Sequence, residues 1–328
     1  YYFFLNNYSP EAIFKPYIRI ALIAAIFGIF QEIFYLLNLP LLYDSRWFFI
    51  GAAEYTSDGI FLRTPSIFTE PSYYGIFLIP AVYFSFLSLA GKSTAINFKY
   101  SIIFLTAISF TFSSLTYVSV CIVGITAFRP DLSKLKVDLR SLLLIIILAS
   151  IMVYALTSIP AISSRILGVP LAISGEFTGE ENVSLLVNGI NLKITIEGFL
   201  SNPIFGNGLG TYRVLADDIL YDTFSSNELV YNRLMTMEDN LSLSDGGMMY
   251  YRLPLEIGIF GCAVFFWVLF FNITKPTLDL HRHIGIASLL FVICYGLRSG
   301  QIFRFELLFF LSLYLLIFSN FYKKFFKY

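Results

Sequence analysis

The chain has 328 residues, of which 57% are hydrophobic, 18% aromatic and only 13% charged, with a mean hydropathy of +0.74 and a formal net charge of zero. That composition excludes a soluble globular domain, and the balanced charge leaves no electrostatic footprint for nucleic acid. Cys121, Cys262 and Cys294 all fall in apolar runs. There they read as small hydrophobes rather than disulfide partners or metal ligands, so the redox compartment stays open.

The chain opens Tyr1-Tyr2-Phe3-Phe4, with neither a methionine nor a signal-peptide pattern, so a fragment lacking earlier spans is expected. Apolar runs that could cross a hydrocarbon core follow at Ile18 to Leu37, Tyr73 to Ala90, Ser101 to Phe128, Ser141 to Thr157, Leu253 to Phe271, Ile284 to Leu297 and Phe305 to Phe321. Basic residues favour cytoplasmic loops. Four connections carry them: Lys92 and Lys99; Arg129, Lys134, Lys136 and Arg140; Lys275, His281, Arg282 and His283; and Lys323, Lys324 and Lys327. Both flanks of Ser101 to Phe128 are then cytoplasmic, so this segment goes out and returns. Its 28 residues suit two short helices or a re-entrant hairpin with Ser113-Ser114 at the apex, the alternative being one long tilted helix.

The expected fold is an all-α polytopic membrane protein of eight passages with the N-terminal end inside. Residues 1-157 form N-terminal membrane helices, 158-250 an extracytoplasmic loop and 251-328 C-terminal membrane helices. The interruption between Ala155 and Leu255 holds eleven acidic side chains against five basic ones, and loops of such length usually carry function. Within it, Val187 to Leu200 reads as a short helix stopped before Asn202-Pro203.

Four groups of residues could carry chemistry. Arg63-Thr64-Pro65-Ser66-Ile67-Phe68-Thr69-Glu70-Pro71-Ser72 sets an arginine and a glutamate at the mouth of a helix. Thr69 or Glu70 can serve as its cap, with Pro71 in the first turn, yet a cap leaves Arg63 unexplained, and paired charges at the edge of an apolar slab usually face an aqueous cavity. Asn202-Pro203-Ile204-Phe205-Gly206-Asn207-Gly208-Leu209-Gly210-Thr211-Tyr212-Arg213 alternates glycines before an arginine. It meets neither phosphate-loop spacing, so Gly206, Gly208 and Gly210 serve either close backbone approach to a ligand or an ordinary tight loop. Asp245 and Arg252 precede Glu256-Ile257-Gly258-Ile259-Phe260-Gly261, where Glu256 reads as a buried contact between helices or a catalytic group. Arg298 and Arg304 with Gln301 cluster on a short outer turn, suited to interfacial snorkelling or ligand contact.

These segments, in this order and with one large outer loop, resemble the O-antigen polymerase and O-antigen ligase superfamily. Phe68-Thr69-Glu70-Pro71-Ser72 is similar to the polymerase signature around a Glu-Pro-Ser, Asn202 to Gly210 to the family's loop motif, and Glu256 to Gly261 to the helix after the loop. The likeness covers about the last two hundred and sixty residues. It implies a multi-helix transmembrane bundle of the large membrane-glycosyltransferase type, acting on undecaprenyl-diphosphate-linked oligosaccharide outside the cytoplasm of a bacterial inner membrane, without cofactor or metal.

On that resemblance Arg63 and Arg213 hold the diphosphate, and charge and side extend the role to Arg252, Arg298 and Arg304. Guanidinium groups bind phosphate oxygens bidentately and stay charged. Ligases of the superfamily place a histidine just before the helix that follows the loop, whereas this chain offers Asp245 there. His281 and His283 fall on the expected cytoplasmic face. The weight therefore shifts from ligase to polymerase, with Asp245 or Glu70 as the base that takes a sugar hydroxyl's proton. A flippase or transporter of lipid-linked sugars is the rival of another class, and a chain-length regulator is a partner to consider beside membrane lipid.

Overall fold

A computed structural model of the chain describes residues 9–44, 57–58, 61–91, 96–128, 183–224, 247–270 and 278–318. In chain order the described elements are α1 (Pro10–Leu36), α2 (Pro40–Tyr43), β1 (Ser57–Asp58), β2 (Phe61–Leu62), α3 (Pro71–Leu89), α4 (Phe98–Ser109), α5 (Ser114–Ala127), α6 (Val183–Ser201), α7 (Tyr212–Phe224), α8 (Met249–Phe270), α9 (Asp279–Gly296) and α10 (Phe305–Phe318). The strands form one two-residue antiparallel pair, Ser57 with Leu62 and Asp58 with Phe61. Among the described residues α1, α3 and α8 are long and apolar enough to cross a membrane, while α4, α5 and α10 are apolar but shorter. The expected span Ser141 to Thr157 lies outside the described residues.

The chain divides into two compact units, one of Tyr1–Tyr154, Thr274–Cys294 and Leu308–Tyr328 and the other of Ala155–Ile273 and Tyr295–Leu307. α8 thus groups with α6 and α7 in the second unit.

In the first unit, α1 starts at Ser9, whose side chain accepts the Ala12 amide at 3.2 Å, with Pro10 in the first turn where no donor is lost. α3 is the central helix, buried almost continuously from Tyr74 to Leu87, and it packs on α1, α4 and α5. Pro80 interrupts its ladder of hydrogen bonds. Tyr17 of α1 answers that defect: its hydroxyl donates to the Phe77 carbonyl at 2.7 Å and accepts from the Ala81 amide at 3.3 Å.

The segment from Ser101 to Phe128 is two short helices, α4 and α5, separated by Phe110 to Ser113. Phe112 takes a left-handed backbone (φ 41), and Ser113 caps α5 by accepting the Thr116 amide.

Two contacts fix one end of this unit. His281 Nε2 at the start of α9 lies 3.1 Å from Glu11 Oε1 at the start of α1, an ion-pair separation without hydrogen-bond alignment when the imidazole is protonated. The Tyr83 hydroxyl of α3 and His283 Nδ1 are 3.0 Å apart. From Glu11 to Glu32 α1 rises about 32 Å, close to the thickness of a hydrocarbon core, so the residues packed around Glu32 lie at the opposite end.

In the second unit, α6 packs on α7 and α8. α6 runs from Val183 to Ser201, four residues earlier than the sequence pattern suggests, and stops before Pro203.

Candidate functional site

In the first unit the Arg63 segment is built from the end of α1 inward. Gln31 and Glu32 are fully buried despite lying in an apolar helix. Glu32 Oε1 accepts the Leu62 amide at 3.3 Å and Oε2 accepts the Thr64 hydroxyl at 3.1 Å, so one carboxylate grips both neighbours of Arg63. Gln31 Nε2 donates to the carbonyls of Tyr43 (3.2 Å) and Ser66 (3.3 Å), and Ser66 Oγ donates to the Ala24 carbonyl at 2.7 Å. These bonds hold Ser66 in a left-handed conformation (φ 54) that non-glycine residues adopt rarely and at some energetic cost.

The break between α4 and α5 meets the same segment. Thr64 donates its amide to the Phe110 carbonyl at 3.0 Å, and Phe61 stacks on Phe112 with centroids 5.7 Å apart. Arg63 is half-buried, and among the described residues its Nε has no hydrogen-bond partner although the atom is out of solvent. Glu70 stands at the N-cap position of α3 (φ −143, ψ 149) with Pro71 following, but its side chain makes no cap bond. Instead Oε2 accepts the Ser72 hydroxyl at 3.1 Å.

In the second unit the glycine loop and the Glu256 segment form one structure. α8 is broken at Gly258 (φ 61, ψ −171). An unbroken helix would join the Ile259 amide to the Leu255 carbonyl and the Phe260 amide to the Glu256 carbonyl. The loop supplies all four missing partners: Ile259 donates to Pro203 O (2.9 Å), Phe260 to Ile204 O (3.0 Å), Asn207 N to Leu255 O (3.0 Å) and Gly208 N to Glu256 O (2.9 Å).

Glycine is required on both sides of this junction. A Cβ on Gly258 would lie 2.5 Å from Gly206 N and from Ile204 O, and one on Gly206 (φ 75) would meet the backbone of Glu256 and Gly258. The amides of Asn207 and Gly208 are thereby committed to α8 rather than presented to a ligand. Asn207 is the loop's knot: Nδ2 donates to Gly198 O (2.6 Å) and Leu255 O (3.1 Å), while Oδ1 accepts from Asn202 Nδ2 (2.7 Å) and Ser201 Oγ (3.1 Å).

Glu256 connects this junction to the arginines. Its Oε1 accepts Arg252 Nε at 2.6 Å and the amide of Tyr212, the first residue of α7, at 3.3 Å, while Oε2 is buried with no hydrogen-bond partner among the described residues. A carboxylate at a helix N-terminus satisfies an orphan amide and complements the dipole. Tyr212 is itself buried, its hydroxyl donating to Asn191 Oδ1 at 2.7 Å, which fixes the start of α7 and leaves Arg213 exposed beside it. Arg252 also donates from Nη1 to Gly300 O at 3.4 Å. The segments carrying Arg213, Arg252, Arg298 and Arg304 are therefore tied together through Glu256 and Gly300, with Arg304 Nε bonded to Gln301 Oε1.

Asp245 falls outside the described residues, four positions before α8 begins at Met249. Sequence reasoning missed Gln31 and Glu32, although an ionisable residue inside an apolar span is a signal in itself. It took Asn207 and Tyr212 only as members of the glycine run, without their structural roles, and passed over Asn191, for which no linear signal exists. Comparisons place no relative beside the chain: no family model, no curated protein and no solved structure matches it.

Proposed function

We propose that the chain is a polytopic membrane glycosyltransferase that polymerises undecaprenyl-diphosphate-linked oligosaccharide repeats into O-antigen, capsule or exopolysaccharide at the outer face of a bacterial inner membrane. The observation that carries this reading is Arg63. A guanidinium N–H buried without an acceptor is costly unless something else completes it. The oxygens of a lipid diphosphate are acceptors of the right charge, delivered at the edge of the membrane. The bonds from Glu32 to the residues on either side of Arg63 keep its backbone in place before the ligand arrives.

In this reading a sugar hydroxyl of one lipid-linked unit attacks the anomeric carbon of the chain on another, the new glycosidic C–O bond forms, and the bond to the diphosphate breaks. The hydroxyl proton passes to a carboxylate, Glu70 or Asp245, and undecaprenyl diphosphate departs. Arg63 in the first unit, and Arg213, Arg252, Arg298 and Arg304 in the second, are each candidates to hold phosphate oxygens and offset the charge that grows on the leaving group.

Protein reconstituted with a synthetic undecaprenyl-diphosphate-linked repeat is the test. Expected are a ladder of longer lipid-linked glycans and stoichiometric release of undecaprenyl diphosphate, both lost in a folded Arg63→Ala variant. Transfer to a non-repeat acceptor with no ladder would make the chain a ligase. Movement of the intact lipid-linked unit across the bilayer, with no new glycosidic bond, would make it a transporter.

A further inference from the structure

The loop that repairs the break in α8 also carries large exposed apolar side chains. Ile204 and Phe205 are 60% and 74% exposed, and the residues they are pinned beside, Ile259 and Phe260, are 60% and 59% exposed. The rings of Phe205 and Phe260 lie 5.9 Å apart. From there the exposed apolar surface continues along α8 through Val264, Phe266, Trp267, Val268 and Phe270. A single surface thus begins on the loop and runs down a helix long and apolar enough to cross a membrane.

Length fixes the depth of that beginning. From Ile259 to Phe270 α8 rises about 18 Å. Even a helix continued to Thr274, the last residue before Lys275, would rise only about 24 Å, short of a hydrocarbon core about 30 Å thick. If α8 crosses the bilayer with Lys275 at the far edge of the hydrocarbon, the level of Gly258 lies inside it by about 6 Å, and whatever is hydrogen-bonded there lies inside with it.

Irregular backbone survives at such depth only when its polar groups are satisfied within the protein. Where the turn meets α8 the junction answers that demand: four reciprocal backbone bonds replace the two lost from the helix, Gly206 N donates to Asn202 O, and Asn207 ties Ser201, Asn202, Gly198 and Leu255 together. We propose that the Pro203 to Asn207 turn is a membrane-inserted element, with Ile204 and Phe205 seated in the acyl-chain region of the surrounding bilayer rather than in an aqueous loop. The proposal rests on α8 crossing a membrane and is independent of any glycosyl transfer.

Tryptophan fluorescence tests it, because the chain has two tryptophans, Trp47 and Trp267. One reporter protein keeps Trp267 alone, with Trp47→Phe. The other carries Phe205→Trp with both native tryptophans changed to Phe. Each is reconstituted into phospholipid vesicles whose acyl chains are brominated, and separately titrated with aqueous iodide. Both reporters should be strongly quenched by the brominated lipid and shielded from iodide.

Trp267 quenched by lipid with the Phe205→Trp reporter open to iodide would overturn this proposal alone. Trp267 untouched by lipid would overturn the membrane reading and the proposal together. A Phe205→Trp reporter shielded from both quenchers would mean that protein covers the turn, which also overturns it. Should that variant not reconstitute, a nitroxide on Phe205→Cys in a background free of the three native cysteines gives the same decision. Greater collision with oxygen than with a water-soluble nickel chelate supports insertion, and the reverse refutes it.

Discussion

Replacing Gly258 by alanine addresses the junction most directly. Its backbone (φ 61, ψ −171) lies in a positive-φ extended region essentially reserved for glycine, where a side chain costs at least about 1–2 kcal/mol. The added methyl would also sit 2.5 Å from Gly206 N and Ile204 O, which are backbone atoms and cannot swing aside. The loop must therefore move, and the four bonds joining residues 203, 204, 207 and 208 to residues 255, 256, 259 and 260 are lost together. At about 1 kcal/mol each, they bring the total to about 5–6 kcal/mol, a large part of an ordinary domain's stability. Gly210→Ala separates strain from displacement, because Gly210 has φ 86° but open space around its Cβ position, so only the conformational cost of about 1–2 kcal/mol applies. Thermal unfolding in detergent, followed by size-exclusion recovery, should rank wild type above Gly210→Ala and Gly210→Ala well above Gly258→Ala. Trypsin should cut Gly258→Ala faster after Arg213. If the two variants melt alike, the interlock of loop and helix is not what holds this unit.

Other substitutions test single joints. Asn207→Ala should cost about 2 kcal/mol, and Asn207→Asp more, since a carboxylate would face the carbonyls of Gly198 and Leu255. Melting measured across pH should show the Asp variant recovering as pH falls, because protonation restores a donor. Glu32→Ala strands the Leu62 amide and the Thr64 hydroxyl, a loss of about 2–4 kcal/mol, while Glu32→Gln keeps one acceptor and should lie between it and wild type, judged by melting and by undecaprenyl diphosphate release. Tyr17→Phe removes the hydroxyl bridging Phe77 and Ala81 beside Pro80, and should lower the melting temperature by the equivalent of about 1–2 kcal/mol without touching the Arg63 segment.

Where a feature depends on local chemistry, the chain declares it. Pro71 sits where helices tolerate proline and starts α3, and the polar Ser113-Ser114 pair marks where α4 gives way to α5. The helical content and the long apolar segments follow from composition and hydropathy alone. Features depending on distant pairing were not legible. Nothing linear announces that Gly206 and Gly258, fifty-two positions apart, occupy each other's Cβ space, or that Asn207 replaces a missing rung of α8. Glu32 falls between these cases. Its charge within an apolar span flags it, but only the fold shows that it holds the residues flanking Arg63.

The break in α8 and the placing of the arginines are one construction. A continuous helix would satisfy Leu255 and Glu256 internally and leave the 203–208 turn without partners; opening it at Gly258 lets the turn dock against those residues. Docking fixes the turn ahead of α7, so the Tyr212 amide reaches Glu256 Oε1, where Arg252 is already bonded one helical turn away. Arg213 and Arg252 therefore belong to segments positioned by the same carboxylate, and Arg252 extends the tie to Gly300 between Arg298 and Arg304. Under the proposed function such support matters, because flexible guanidinium groups ordered only on binding a diphosphate would lose much of their interaction energy to entropy. On this view Glu256 acts through position rather than proton transfer. Glu256→Gln, which keeps an acceptor for Tyr212 and Arg252, should preserve most undecaprenyl diphosphate release, whereas Glu256→Ala should abolish it and loosen α7 to proteolysis after Arg213. Equal loss in both variants, with α7 still protected, would assign the carboxylate a chemical role instead.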